Sequence, residues 1–336
     1  LSVQRGTLLV LASAVLLVGS LGVARLAEGP AGAPVAPLVG APSPLPSGAA
    51  PSLRLVDAPG FGCSFPDPGA GHFGAFRPVR AAFRGDVTAR LLVPEGALDE
   101  GGGFDLLVHF HGAEAARRVL VPTNATVVVL AVDAGVRSSA YESLFGEARA
   151  FESMVRAVES EVALATGRFD ASAKGLALSA WSAGYGAVKG LLRSRGPEGI
   201  GAFVLLDGLH AGVDERGAPL LPDLAPFVDL ARRATGRSGE PGPTFVITHS
   251  EVATEGYAST TETTAALLSA LGERELPVDP GDTREGAIIG VYEEGQLAVR
   301  AYSGGGREAH CAELALLGDV VREHVLPALV RAHAPP

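Results

Sequence analysis

The sequence predicts an α/β domain built on a mostly parallel sheet with helices on both faces, lying behind an apolar N-terminal segment and a disordered linker. Three observations carry this reading. From about residue 75 onward, short continuous apolar runs alternate with stretches of helical periodicity, the pattern of strands and helices taken in turn. Hydrophobic residues make up 47% of the chain and charged residues 19%, a composition that can build a sizeable core and is unlike that of a disordered chain. The first sixty residues share neither feature.

Phe76 to Phe83 and Val87 to Val93 alternate apolar and polar residues around Gly85 and Asp86, the chemistry of a tight antiparallel hairpin. Phe104 to His111 and Thr126 to Val132 are continuous apolar runs, too short for typical helices and suited to strands buried on both faces. Between Phe145 and Gly167 the residues Phe151, Met154, Val155, Val158 and Val162 recur at three and four, which places them on one helical face. The alternation continues with strand Gly175 to Ala180, helix Ala183 to Leu192, strand Ala202 to Leu206 and a helix near Pro226 to Ala234. Strand Thr244 to Thr248, helix Thr260 to Leu271, apolar runs Ala287 to Tyr292 and Leu297 to Tyr302, and a last helix from about Ala312 complete it. In such sheets reactive groups collect where the strands end at their carboxyl termini, because the loops converge there.

The chain of 336 residues, with 44 Gly and 24 Pro, divides into residues 1–24, 25–60 and a single domain over 61–336. Arg5 precedes an apolar run from Thr7 to Ala24, with small residues at Gly22 and Ala24 suited to signal peptidase. This is the signature of an export signal, cleaved or kept as a membrane anchor, since a span needs roughly 17 to 25 residues. Arg25 to Pro59 is rich in Ala, Pro, Gly and Ser without apolar period, a semi-extended spacer that would hold a domain away from a membrane or wall. Export to a periplasmic, cell-surface or extracellular location is the expectation.

With 27 basic and 37 acidic residues the net charge is -10. A surface of that sign repels a polyphosphate backbone, which argues against nucleic acid as a partner. Two cysteines, Cys63 and Cys311, are too few for a disulfide scaffold or a four-cysteine zinc site.

Strand Gly175 to Ala180 runs into Ala180-Trp181-Ser182-Ala183-Gly184, and a helix follows at once. A serine hydroxyl becomes a useful nucleophile when it projects from a sharp strand-to-helix turn, and such a turn needs small residues two positions away on each side. Gly184 and Ala180 meet that need, with alanine in place of the usual first glycine. The competing assignment is an N-cap serine on an ordinary helix. Upstream, Phe104 to His111 ends in His109-Phe110-His111-Gly112-Ala113. Backbone N–H groups of Gly112 and Ala113, with that of Ala183 just after the serine, are the expected donors to a developing oxyanion. His109 and His111, two apart on a strand, would also suit a metal, but no acidic and histidine partners follow at metal-hydrolase spacing.

Downstream, Leu297 to Tyr302 leads through Ser303-Gly304-Gly305-Gly306 to His310, the candidate general base on a glycine-rich loop before the last helix. Two carboxylates end suitable strands and could orient its imidazole. Asp207 is preferred because it stands directly at its strand end, whereas Glu251 is displaced into a loop. His210 and His249 read as pocket or structural residues, and Gly208 to Leu224 as a short lid.

In their chain order Ser182, Asp207 and His310, with the His-Gly loop upstream and strands alternating with helices, resemble the α/β-hydrolase superfamily over about Arg77 to Ala332. The resemblance implies a mostly parallel eight-stranded sheet and hydrolysis of an ester, amide or related acyl group through a covalent serine intermediate, with no cofactor. It also implies that the acid most often follows the next-to-last strand, where Val252 and Ala253 cannot serve. In some lipase-like and dehalogenase members the acid follows the preceding strand, which matches Asp207. Cys63 and Cys311 could form one disulfide in an oxidising compartment, tying the start of the domain beneath the histidine loop. The leading expectation is an exported serine esterase acting on small acyl esters; a serine peptidase and a catalytically silent binding module on the same fold are the alternatives.

Overall fold

The computed structural model describes residues 63–333, apart from residues 81, 84, 85, 238, 240, 241 and 281–285. The segments expected to be signal and spacer, 1–24 and 25–60, and the expected turn at Gly85, lie outside the described residues.

Among the described residues ten strands form one sheet: β1 Arg77–Pro78, β2 Thr88–Leu92, β3 Gly103–Phe110, β4 Val128–Asp133, β5 Ser172–Trp181, β6 Ala202–Leu206, β7 Thr244–Ser250, β8 Leu276–Pro277, β9 Ile288–Glu294 and β10 Leu297–Tyr302. Their spatial order is β1-β2-β4-β3-β5-β6-β7-β10-β9-β8. The strands β4, β3, β5, β6, β7 and β10 run parallel to one another. The pairs β1/β2, β2/β4, β10/β9 and β9/β8 are antiparallel. The sheet therefore has a parallel centre with antiparallel edges. It carries two more strands than expected, because the short β8 and the β9 ribbon extend one edge. The first hairpin is shorter than its sequence pattern: only Arg77 and Pro78 pair with β2, and proline lacks the N–H that would extend the ladder.

The strands are apolar on both sides, as a sheet covered twice requires. In β6, Phe203 and Leu205 face one layer, and Ala202, Val204 and Leu206 face the other. The first layer is supplied by α2 Ser138–Glu142, α3 Ala148–Thr166, α4 Tyr185–Arg195, α5 Leu221–Ala234 and α6 Thr260–Ala270. Phe151, Met154, Val158 and Val162 of α3 are buried there, as their spacing predicts. The opposite layer is supplied by α1 Ala113–Leu120 and, at the C-terminus, α7 Arg307–Ala315, α8 Leu317–Val320 and α9 Leu326–Ala332, joined by a π-helical turn, with Phe65 and Phe73 from the start of the domain.

Two boundaries differ from the sequence reading. Helix α7 begins at Arg307, so His310 stands inside its first turns and not on the glycine loop. The reason is local: after Ser303–Gly306 the run REAHCAELA contains good helix formers and no breaker. Helix α5 begins at Leu221 instead of Pro226, and Pro222 occupies the first turn, where a missing N–H costs nothing.

Candidate active site

Three adjacent central strands, β3, β5 and β6, each lead at their carboxyl ends into a non-glycine residue with left-handed backbone: His111 at φ 76°, Ser182 at φ 49° and Asp207 at φ 42°. Such conformations cost of order 1–3 kcal/mol each and persist only where the surroundings hold them. At β5 the cause is visible. Ser182 begins a 3-10 turn, Ser182–Gly184, squeezed between the end of β5 and the start of α4. A Cβ on Gly184 would lie 2.1 Å from the Phe110 carbonyl oxygen of β3, so only glycine lets the turn pass. Ala180, in the place of the usual glycine, is fully buried with its methyl group in the core.

Asp207 is 1% exposed and accepts four hydrogen bonds. Oδ1 receives the Ser250 backbone N–H at 3.1 Å and the Thr260 hydroxyl at 2.6 Å; Oδ2 receives the Ser250 hydroxyl at 2.7 Å and His310 Nδ1 at 2.6 Å. Burial by itself would push this carboxyl up, but the His310 hydrogen bond and charge, with the Thr260 and Ser250 hydroxyls, outweigh it and hold the group well below the usual carboxylate range. With Asp207 ionised, Nδ1–H of His310 is the donor, and Nε2 is left as the basic nitrogen. Nε2 has no hydrogen bond among the described residues. The ring stacks on Trp181 at 4.7 Å, and the Trp181 indole N–H donates to the His310 carbonyl at 3.0 Å. Ser182, Asp207 and His310 line one cleft of about 270 Å³.

Glu251 goes elsewhere. Its carboxylate accepts the Gly304 N–H at 3.0 Å and its own N–H donates to the Gly304 carbonyl, so it fixes the glycine loop ahead of α7 instead of touching the imidazole. Cys63 and Cys311 are joined as a disulfide with Cα atoms 5.5 Å apart, which fastens the residue after His310 to the start of the described chain.

The expected oxyanion donors are divided. Ala183 follows Ser182 at the start of a helical turn, where an N–H has no carbonyl one turn back to bond. Gly112 and Ala113 correct the expectation: both N–H groups donate to Asp133 Oδ1, at 2.9 and 3.3 Å, and so are engaged within the protein. Asp133 ends β4 and was not singled out in the sequence, since nothing local marks it as their partner.

The other histidines near this site have partners of their own. His109 is fully buried, bonded through Nδ1 to the Ser179 hydroxyl and through Nε2 to the His111 carbonyl, which supports the left-handed turn at His111. Burial pushes it down to about 4. His111 bonds the Tyr141 hydroxyl at 2.8 Å and also stacks on Trp181, the chain's one tryptophan. His249 is held by Glu275 and Thr261. His210 packs edge-on against Tyr185 and Tyr257 and lines the cleft. Glu313, also missed in the sequence, lies one turn after His310 on α7 and is fully buried. Burial, then the nearby Asp207 charge, push its carboxyl well above the ordinary range.

His109 gives a sign to the acid stability of the domain. The unfolded chain protonates this histidine near 6.5, but the folded chain does so only at about 4. Between these values the unfolded state binds more protons, so stability falls as pH falls. Thermal melts from pH 7 to pH 4 should show a decreasing midpoint, and His109→Gln should flatten that slope. An unchanged slope in the variant would contradict the assignment.

No protein-family model and no curated protein matches the chain. Solved structures similar to it include an acetyl xylan esterase from Aspergillus awamori, 13% identical, TM-score 0.41, covering 69% of this chain and 94% of that one. A thermophilic esterase from the planctomycete Thermogutta terrifontis is 14% identical, TM-score 0.40, covering 74% and 91%. An aryl esterase described as putative, from Burkholderia cenocepacia, is 13% identical, TM-score 0.41, covering 76% and 100%. The fold itself is of the α/β-hydrolase type, on the evidence of its parallel centre, its two helical layers and the strand-turn-helix that carries Ser182.

Proposed function

We propose that the protein is an exported serine hydrolase that cleaves carboxylic esters. The observation that carries the reading is the 2.6 Å bond from His310 to the buried Asp207, beside a serine held in left-handed backbone at the head of the same cleft. In this mechanism Ser182 Oγ attacks the acyl carbon while its proton passes to His310 Nε2. The imidazolium is stabilised by Asp207, which remains ionised. The carbonyl oxygen becomes an oxyanion that Ala183 N–H receives. Gly112 and Ala113 are not assigned this part, because Asp133 holds their N–H groups. Collapse of the tetrahedral species expels the alcohol oxygen, which takes the proton from His310 and leaves the acyl group on Ser182. Water, deprotonated by His310, then attacks the acyl carbon. The carboxylic acid departs as Ser182 recovers its proton. These steps need no cofactor.

The disulfide supports the export part of the proposal, since such bonds form and persist in oxidising compartments. A signal or a membrane tether at residues 1–24 belongs to the same proposal. The test is hydrolysis of short p-nitrophenyl esters beside the matching p-nitroanilides. The expected result is ester turnover that exceeds amide turnover and falls by at least ~10⁴-fold in Ser182→Ala. Faster amide cleavage would favour a peptidase. Ester turnover unchanged in Ser182→Ala would remove the mechanism.

A further inference from the structure

Two hollows meet at Ser182. The first, with Asp207 and His310, also holds Arg307. The second, of about 440 Å³, is bounded by Ala183, Arg137, Ser138 and Ser139. Under the hydrolase reading, on which this inference rests, His310 must protonate the departing oxygen, so the alcohol occupies the first hollow. The acyl chain then extends past Ala183 into the second.

The second hollow has a definite charge. The exposed Arg137 lines it, and among the described residues no carboxylate does. In the first hollow the one carboxylate, Asp207, is committed to four hydrogen bonds. An arginine lining this hollow is not a by-product of a basic surface, for the chain carries a net charge of -10. Nor is Arg137 used for stability: it has no ion pair or hydrogen bond from its side chain among the described residues, whereas nearby Arg193 is tied to Glu142 and Asp223. A guanidinium presents a fork of N–H donors that fits a carboxylate with two parallel bonds, and the hydroxyl of Ser139 beside it is a further donor, while that of Ser138 is engaged with Tyr185.

We propose that this hollow is an anion-recognition subsite, with Arg137 receiving a carboxylate at the far end of the acyl chain, so that the favoured substrates are half-esters of short dicarboxylic acids.

The experiment compares p-nitrophenyl half-esters of succinic, glutaric and adipic acids with neutral p-nitrophenyl esters of the same chain length. At least one half-ester should exceed its neutral counterpart in kcat/KM by about tenfold or more. That ratio should fall at least tenfold in Arg137→Gln, recover partly in Arg137→Lys, and hold in Arg168→Gln, whose side chain pairs with Asp170 at the opposite end of β5. A ratio unaltered by Arg137→Gln, or no preference in the wild type, overturns the proposal while leaving ester hydrolysis intact. Binding separates the two ideas: in isothermal titration calorimetry, glutarate should bind wild type and Ser182→Ala but not Arg137→Gln. Glutarate binding that depends on Arg137, without cleavage of any ester, would keep the subsite and sink the hydrolase reading. Absence of glutarate binding to folded wild type would sink the subsite.

Discussion

Asp207→Asn is expected to lower kcat on a p-nitrophenyl ester by a factor on the order of 10⁴, the scale found when the acid of a Ser-His-Asp triad loses its charge. The physical reason is the tautomer. An ionised Asp207 can only accept, so His310 must place its proton on Nδ1 and keep Nε2 free to take the proton of Ser182. An asparagine amide turned toward Nδ1 reverses that bond and puts the imidazole proton on the wrong nitrogen. The Ser250 and Thr260 hydroxyls, which donate to Asp207, would also lose their charge-assisted bonds. Glu251→Gln is the matched control. Its side chain holds Gly304 and not the imidazole, so turnover should remain within roughly tenfold and the pH profile should keep its shape. A larger loss in Glu251→Gln than in Asp207→Asn would reverse the assignment of the acid.

The second large effect concerns the Cys63–Cys311 disulfide. It closes a loop with a sequence separation of 248 residues, and removing such a bridge costs about 3 kcal/mol, much of it through the unfolded chain's regained freedom. At the scaling for domains somewhat smaller than this one, that is a drop in Tm of roughly 6–12 °C. The bridge is also part of a packed contact. Phe65 and Phe73 are buried in the layer beneath α1 and α7, Arg118 donates to the Phe65 carbonyl and Arg117 pairs with Asp67. Cys63→Ala and Cys311→Ala should therefore melt lower by similar amounts, and the double variant no lower than either. Reductant should lower the wild-type midpoint to theirs and leave the variants unchanged. Two thiols titrating freely in the native, unreduced protein would contradict the bridge.

Much of this architecture is legible in the chain because burial leaves a periodic trace. The continuous apolar runs of β3, β4, β6 and β7 and the three-and-four spacing on α3 each record a face in contact with the core. Helix α1 left a fainter trace. Its buried residues Ala113, Ala116 and Leu120 recur at three and four, but two of them are alanines in an eight-residue run with arginines and a glutamate, and so carry little apolar contrast. Of the candidate site, the turn at Ser182 was legible because it demands small neighbours in sequence, and the place of Asp207 followed from its strand end. The engagement of Gly112 and Ala113 by Asp133, the clasp of Ser250 and Thr260 on Asp207, and the buried Glu313 were not. Each joins residues from different strands and helices, brought together by sheet order, and local pattern carries no record of such a meeting.

The strain at residue 182 gives the account its most direct test. Intact-mass spectrometry after brief treatment with a fluorophosphonate should show one adduct, mapped by digestion to the peptide bearing Ser182 and missing from Ser182→Ala protein that melts like the wild type. Folded wild-type protein that takes no label, or a label that persists in Ser182→Ala, would contradict a nucleophilic serine at this turn.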